Sequence, residues 1–543
     1  MRCFILDNNL FWKVFTRRTF LCFTTLMLLF LSCILRVAVT TTADISSEYR
    51  YLNCYKLKLA NLRGTIFDCN MIPITNNVDK IVAAVSPTQK GIAGISSILK
   101  GEELENVLKT LKKGEPAVCE IPEDIISDGI VTTKIRHNSG NLTPAIHLIG
   151  YTDSDNKGVS GLEAAYNDLL YSEKEAYVYF ESDGKGRILQ GAKAVIENDS
   201  SIAANGVITT IDINIQNIAE KVALNLEMGA IVVAEANTGK IRAMVSRPFF
   251  DCENIDDYLN REDSPLLNRA INAYNVGSVF KPCVAASGIE NGIDGYYNVC
   301  KGYVEISDRI FKCHKINGHG LLNLSGAIAN SCNSYFYNFA EKIGYENVYN
   351  MASTLNFGKR IKLCDGIYTA NGNLTEKTEL KNSAALANFS IGQGKLLLSP
   401  VSILPLYCAI ATDGTYYLPS IVEGTTKNGI TEKYNKGKKT RVMDKKTADI
   451  LKKCLSEVIT DGTGEDAKPN TVTAAGKTAT AQTGKFEDGA EISQGWFCGF
   501  FPAEKPKYVV VIFSENTKRQ IKSCNQIFAE IADGINGMNY SQK

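Results

Sequence analysis

Residues 20–35 are apolar or hydroxylated without a single charge, and past Arg36 the apolar pattern continues to Val39. About 20 residues at ~1.5 Å rise cover ~30 Å, a bilayer core, so residues 20–39 predict one transmembrane helix with Arg36 reaching an interface. Further on, short apolar runs alternate with polar turns, and residues 80–85, 145–150 and 176–181 read as strands. From residue 206 the pattern changes. Residues 207–211 are strand-like and 214–226 have a helical period. Residues 229–246 hold two β-branched stretches split by Asn237-Thr238-Gly239, a hairpin signature. Ala448, Leu451, Leu455 and Val458 mark one side of an amphipathic helix. Strands at 496–501 and 508–513, with Pro502 and Pro506 between them, precede a closing helix at 521–535. Strands at both ends with helices between predict an α+β domain whose terminal segments share a sheet.

Composition adds limits. A chain of 543 residues should hold two or three domains. A net charge of +1 supplies no electrostatic footprint for nucleic acid. Four histidines and no Cys-x-x-Cys pairing with His point away from a metal, and no cofactor is expected. Of the sixteen cysteines thirteen follow the apolar run, an odd number that cannot all pair within the chain. Cys300 with Cys313 is one possible disulfide; most others read as small buried hydrophobes, as in a compartment without strong oxidant. Lys13, Arg17 and Arg18 before the apolar run place residues 1–19 in the cytoplasm and the rest outside, a single-pass cell-membrane topology. A cleaved signal peptide is the alternative, with Val37-Ala38-Val39 and the following threonines as its small-residue site.

Ser-x-x-Lys occurs at Ser97/Lys100, Ser154/Lys157, Ser182/Lys185 and Ser278/Lys281. Ser-x-Asn occurs at Ser139/Asn141, Ser154/Asn156 and Ser331/Asn333, and Lys-Thr-Ala at Lys446 and Lys477. Context separates them. Ser154 and Ser182 sit in turn compositions, and Lys446 opens the amphipathic helix. Ser278 lies in Asn275-Val-Gly-Ser-Val-Phe-Lys-Pro282. A helix starting there puts Pro282 in its first turn, where a missing N–H costs little, and sets Ser278 and Lys281 one turn apart on one face. Gly277 permits close approach of a substrate to the helix N-terminus.

Ser278-Val-Phe-Lys281, Ser331-Cys-Asn333 and Lys477-Thr-Ala479 appear in the order of the signature of penicillin-binding proteins and class A β-lactamases. Around them stand Gly318-His-Gly320, Ser390-Ile-Gly-Gln-Gly394, Ser399-Pro400, Asp461-Gly-Thr-Gly464, Gly476-Lys-Thr-Ala-Thr-Ala-Gln482 and Trp496-Phe-Cys-Gly-Phe-Phe-Pro502. From Gly206 onward the chain resembles the transpeptidase domain of class B penicillin-binding proteins of the elongation or sporulation type. Arg63-Gly64 and Gly161-Leu162-Glu163 resemble that family's N-terminal pedestal more loosely. Two departures stand out: Ala479 where glycine is usual, and Cys332 at the variable middle position of the second motif.

The resemblance implies a penicillin-binding/serine β-lactamase-like fold, with a β-rich pedestal at 40–205 and a transpeptidase domain at 206–543. It implies Ser278 as nucleophile, Lys281 as base, Ser331 as proton relay and Asn333 holding the substrate amide. Lys477 and Thr478 would bind the terminal carboxylate, Ala479 would line the strand edge, and the Ser278 and Thr480 N–H groups would form the oxyanion hole. Burial and Lys477 would both depress the Lys281 pKa. His319 is expected to shape a turn rather than act in chemistry. The implied substrates are peptidoglycan stem peptides ending in D-Ala-D-Ala, with β-lactams as inhibitors and a SEDS-type membrane glycosyltransferase as partner. A serine β-lactamase or a non-catalytic β-lactam sensor of the same fold are the alternatives. Glu346-Asn-Val-Tyr-Asn350 is the nearest match to a deacylating loop, and it reads as helix.

Overall fold

The computed structural model describes residues 4–42, 53–125, 127–137, 143–189, 191, 194–435, 437–487 and 489–541; Ser139 and Asn141 lie outside them. Helix α1 spans Phe4–Thr42, and its stretch Phe11–Val39 is long and apolar enough to cross a membrane, with its large apolar side chains exposed. The segment expected at 20–39 lies inside it. The helix begins earlier because lysine and arginine are good helix formers, so a basic flank does not end it.

The chain packs as two compact units that interleave in sequence. One takes Met1–Ala60, Lys80–Ile135 and Glu175–Asn198, the other Asn61–Asp79, Arg136–Lys174 and Asp199–Lys543. A single cut at 205/206 therefore does not separate them. In the first unit the strand Val78–Val85 pairs antiparallel with Ala117–Ile121. Two short helices bury Ile95, Leu99, Val107 and Leu111 in one cluster with Ala83 and Val85 of that strand. Residues 176–181 lie, as expected, in a strand, Tyr171–Glu181.

Residues 145–150 do not form a strand; Ile146–Ile149 is one turn of helix. Ile146, Leu148 and Ile149 are all buried, and a short run buried on every side carries no period that separates helix from strand.

In the second unit Arg63 and Glu163 explain their own sequence words. The Arg63 guanidinium donates to the Glu163 carboxylate at 2.7 Å and to the Glu163 carbonyl at 3.0 Å, both residues being buried. Burial raises the Glu163 carboxyl pKa in spite of that partner.

The second unit is built on a five-stranded antiparallel sheet: β1 (Gly229–Glu235), β2 (Ile241–Arg247), β3 (Ala475–Glu487), β4 (Ala490–Phe501) and β5 (Tyr508–Ser514), in the order β2-β1-β5-β4-β3. The predicted hairpin is β1–β2, and β1 pairs with β5, so the two ends of the domain do share the sheet. The central strands read as continuous apolar runs because both faces are covered. Ile231, Val233, Val510 and Ile512 join a cluster with Ile527, Phe528 and Ile531. Val232, Ala234, Val509 and Val511 join the larger cluster with Phe280 and Phe336. Each valine, isoleucine and phenylalanine among them contributes about 1.5–3 kcal/mol by leaving water.

Helix α2 (Ile213–Ala223) is capped by the Asp212 carboxylate, and α6 (Cys524–Ser541) is the closing helix. Between them in sequence lie α3 (Lys281–Glu290), α4 (Asn333–Ile343) and α5 (Lys445–Thr460). Helix α5 buries Ala448, Leu451, Leu455 and Val458, as its period predicts.

Candidate active site

Helix α3 is buried from Lys281 through Ile289, as a helix without a polar face must be. It is entered through a 3₁₀ turn, Gly277–Phe280, with Pro282 in the first turn of the α-helix that follows. Gly277 has φ +60°, a left-handed conformation open to glycine and costly for other residues. Its N–H donates to the Gly392 carbonyl at 2.9 Å, and Tyr407 donates its hydroxyl proton to the Val279 carbonyl at 3.0 Å. Gly392 itself has φ +74°, and a Cβ there would stand 2.0 Å from the Gly277 carbonyl oxygen. The Ser390–Gly394 word is thus a cradle under the turn that presents Ser278. On the far side Trp496 donates its indole N–H to the Asn275 carbonyl at 2.8 Å.

Lys281 is fully buried. Its Nζ donates to the Ser331 carbonyl at 2.7 Å, the Asn333 Oδ1 at 2.7 Å and the Ser331 Oγ at 3.3 Å, and lies 5.4 Å from the Phe336 ring centroid. Burial brings its pKa down to about 7, while the Cys332 and Cys313 thiols pull the other way. The amine is aimed at the second motif; no hydrogen bond joins it to the Ser278 hydroxyl among the described residues. The repulsion expected from Lys477 does not figure among the causes acting on Lys281. It is expressed on Lys477, whose pKa falls well below that of an ordinary lysine through burial first and the Lys281 charge second.

Ser331 occupies the left-handed region at φ +50°, a strain of ~1–2 kcal/mol for a residue with a Cβ. The turn is pinned by its neighbours: Ser331 N–H donates to the Ile328 carbonyl and Cys332 N–H to the Ala327 carbonyl. Cys332 then caps α4, its sulfur accepting from the Tyr335 N–H at 3.4 Å.

The third motif lies on β3, paired to β4 through Lys477↔Cys498 and Thr480↔Gly495. The buried Lys477 Nζ makes two bonds, both to its neighbour: the Thr478 carbonyl at 3.2 Å and Oγ1 at 3.4 Å. Thr478 Oγ1 also meets Thr463 Oγ1 at 2.9 Å. Thr463 N–H donates to the Ala329 carbonyl, just before the second motif. The Asp461-Gly-Thr-Gly464 word therefore bridges the second and third motifs. The Ala479 methyl faces Gly277: a Cβ on that glycine would lie 3.4 Å from it. A side chain at 277 would thus rest against the Ala479 methyl and crowd that of Ala481, at 3.3 Å.

Ser278, Ser331, Asn333, Thr478, Ala479 and Thr480 line one cleft of about 420 Å³, and the Lys281 and Lys477 side chains are buried behind its wall. Thr463 and His314 line it as well, and neither was assigned from sequence. Within the same unit, Ser154, Lys157 and Lys446 are not among the residues that line it.

One expectation is corrected: Cys300 and Cys313 remain thiols rather than a disulfide. Cys300, Cys313, His319 and Cys332 bring their side-chain sulfur and nitrogen atoms within 4.8 Å of one another. These residues are 13, 6 and 13 positions apart, a spacing that the search for Cys-x-x-Cys cannot detect. His319 consequently belongs to that cluster, not merely to a turn.

The chain is similar in sequence and in fold to known proteins. The stage V sporulation protein D of Bacillus subtilis is 27% identical over 516 residues, covering 87% of this chain and 77% of that protein. The peptidoglycan D,D-transpeptidase MrdA of Acinetobacter baumannii is 26% identical over 563 residues, covering 87% and 82%. In fold, penicillin-binding protein PBP2 of Helicobacter pylori superimposes with a TM-score of 0.66 at 24% identity, over 90% of this chain and all of that one. The penicillin binding protein transpeptidase domain family matches residues 229–533, more than half the chain, and the chain belongs to that family.

Proposed function

We propose that the protein is a membrane-anchored peptidoglycan D,D-transpeptidase that cross-links stem peptides through a serine acyl-enzyme and is covalently inhibited by β-lactams. The observation that carries the reading is the convergence of Ser278, Ser331, Asn333 and Thr478 on one cleft, with the buried Lys281 amine bonded to Ser331 and Asn333 and the Lys477 amine beside Thr478.

Ser278 Oγ attacks the penultimate D-Ala carbonyl and its proton passes to Lys281. A lysine with pKa about 7 is part neutral at neutral pH, where a free lysine at ~10.4 is not. Lys281 bonds Ser331 directly, which offers the proton a path through that hydroxyl to the nitrogen of the departing D-Ala. The acyl group then passes to the amine of a neighbouring stem peptide. Asn333 holds the substrate amide. The Lys477 amine, buried with only weak oxygen partners, and the Thr478 hydroxyl receive the terminal carboxylate, or that of penicillin. Backbone N–H groups of Ser278 and Thr480 face the developing oxyanion; loss of one such donor costs ~3–4 kcal/mol. In a β-lactam the leaving nitrogen stays tethered, and the acyl-enzyme persists.

Residues 1–19 form a cytoplasmic tail and 20–39 the single-pass anchor in the cell membrane; outside it follow a pedestal within 40–205 and the catalytic domain 206–543, with residues 61–79, 136–174 and 199–205 of the former belonging to the same compact unit as the latter. The glycan-polymerising partner is a separate SEDS-type membrane glycosyltransferase. Rapid hydrolysis of a β-lactam has no support in the site. Glu346 lies exposed on the helix Tyr345–Thr354 and pairs with Lys377, and it does not line the cleft.

The test is cross-linking of lipid-linked substrate by the full-length protein in the presence of a polymerase. Cross-linked product from wild type and none from Ser278→Ala supports an enzyme. Penicillin labelling without cross-linking would leave a sensor, and steady turnover of a chromogenic cephalosporin a lactamase.

A further inference from the structure

The cleft takes up only part of the free edge of β3. That strand stands last in the sheet order, so among the described residues one of its edges has no strand partner. A donor peptide whose carboxylate meets Lys477 and Thr478, and whose scissile carbonyl faces the Thr480 N–H, runs antiparallel to β3. The rest of its stem then leaves toward residues 482–485. Asn275 marks the end of this edge. Its Nδ2 donates to the Gln482 carbonyl at 3.2 Å, two residues past Thr480 and so on the same edge.

Beyond Asn275 a second cavity opens, of about 880 Å³ against about 420 Å³ for the cleft, within the size range of ligand pockets. Thr483, Lys485 and Gln494 line it from the β3–β4 hairpin, and Glu262 lines it from the segment before Arg269. One extended residue of ~3.4 Å plus ~6 Å of side chain spans ~10 Å, the length of β3 from Thr480 to Thr483. The stem residue just before the acylated D-Ala, the third of the stem, therefore reaches this space.

The cavity walls carry charges of both signs, and most of them neutralise one another. Buried Arg269 pairs with Glu515 at 2.5 Å and donates to the Ser264 and Asp263 carbonyls, while Arg261 pairs with Asp263 at 2.5 Å. Lys485 and Glu262 are left over. Both are exposed, and neither has an ion-pair partner among the described residues. Gln494, buried in the same wall, has its Oε1 without a hydrogen-bond partner, an acceptor that the fold itself leaves unsatisfied. A ligand group bearing a cation and an anion together matches such a pair; a lone cation leaves Lys485 unanswered.

We propose that this cavity is the subsite for the third residue of the donor stem peptide, where Lys485 and Glu262 select a side chain ending in both a carboxylate and an ammonium, a diamino diacid, over one ending in an ammonium alone. The identity of the ligand rests on the transpeptidase reading.

Tripeptidyl-D-alanyl-thioglycolate donors acylate Ser278 with release of a thiol, which a disulfide dye reads as a burst. With the full-length protein the burst should be about 5-fold faster for diaminopimelate at the third position than for its side-chain amide or for lysine, the effect of one partly screened ion pair. Lys485→Met should erase that preference. Glu262→Gln should slow all three donors, which share the ammonium, and keep the preference. Each rate is divided by that of benzylpenicillin acylation in the same variant, so an unfolded fraction cancels. Equal rates for the three donors in the wild type, or a preference that survives Lys485→Met, would overturn the subsite. If no donor acylates the protein, calorimetry of the unreactive diaminopimelate tetrapeptide on Ser278→Ala, with and without Lys485→Met, decides instead. Binding that depends on Lys485 keeps the subsite and sinks the transpeptidase reading; no binding, or binding indifferent to Lys485, sinks the subsite.

Discussion

The two sides of the cleft that meet at the Lys281 amine are held by different physics. The nucleophile side is a contiguous stretch, Gly277 to Ile289, fixed by burial on every face and by the Gly392 and Tyr407 bonds beneath it. The Ser331 side is a strained turn whose middle residue faces a pocket of sulfur and imidazole lined by 300, 313 and 319. Apolar burial is non-directional and tolerates many sequences, so the first side can be read from its local pattern. Convergent sulfur and imidazole groups from four separated positions obey no period. Their geometry is directional, and it becomes visible only once the chain is folded.

Substitutions on the two sides should differ accordingly. The largest effect belongs to the shared amine: Lys281→Met should lower the second-order rate of penicillin acylation by ~10³–10⁴-fold in stopped-flow labelling, the upper range for a general base. Ser331→Ala should cost less, ~10²-fold, and its effect on turnover of a peptide substrate should exceed that on β-lactam acylation, whose leaving nitrogen stays tethered. Equal losses for both substrates would argue against the relay.

Acylation should depend on pH through Lys281. Its pKa is lowered to about 7, so the neutral, accepting form gains as pH rises. The rate should climb with pH below about 7 and level off above it. A profile still rising toward the ordinary lysine range would mean that burial does not set the base. In Lys281→Met the inflection should disappear.

Smaller still is Gly277→Ala, which forces a Cβ into φ +60° and toward the Ala479 and Ala481 methyls. It should destabilise the turn by ~1–2 kcal/mol, read as a drop in thermal midpoint together with slower acylation. Ala479→Gly should change acylation only a few-fold, because the methyl faces Gly277, which has no side chain to press on it; a large gain would show instead that the methyl obstructs the cleft. Each change measured in the other's background tests whether positions 277 and 479 are coupled.

Much of this could be read before folding. The hairpin at 229–246, the strands at 496–501 and 508–513, and helix α5 all carry patterns of their own, and the structure has them where those patterns predict. Ser278 and Lys281 separate from their decoys because Gly277 and Pro282 fit a helix entry. Residues 145–150 misled because a short run buried on all sides has no period. The role of Thr463 has no local signal, since its partner Thr478 is fifteen residues on and meets it only across a loop. His314 carried no signal at all: an exposed histidine beside a cysteine is common, and only the cleft gives it meaning.

The central claim is that Ser278, and no other serine in the cleft, takes the acyl group. Intact-mass and peptide-mapping spectrometry of the benzylpenicillin adduct tests it most directly. One adduct per chain on the peptide containing Ser278, absent from a folded Ser278→Ala, is the predicted result. An adduct that persists in that variant, or that maps to Ser331, would contradict it.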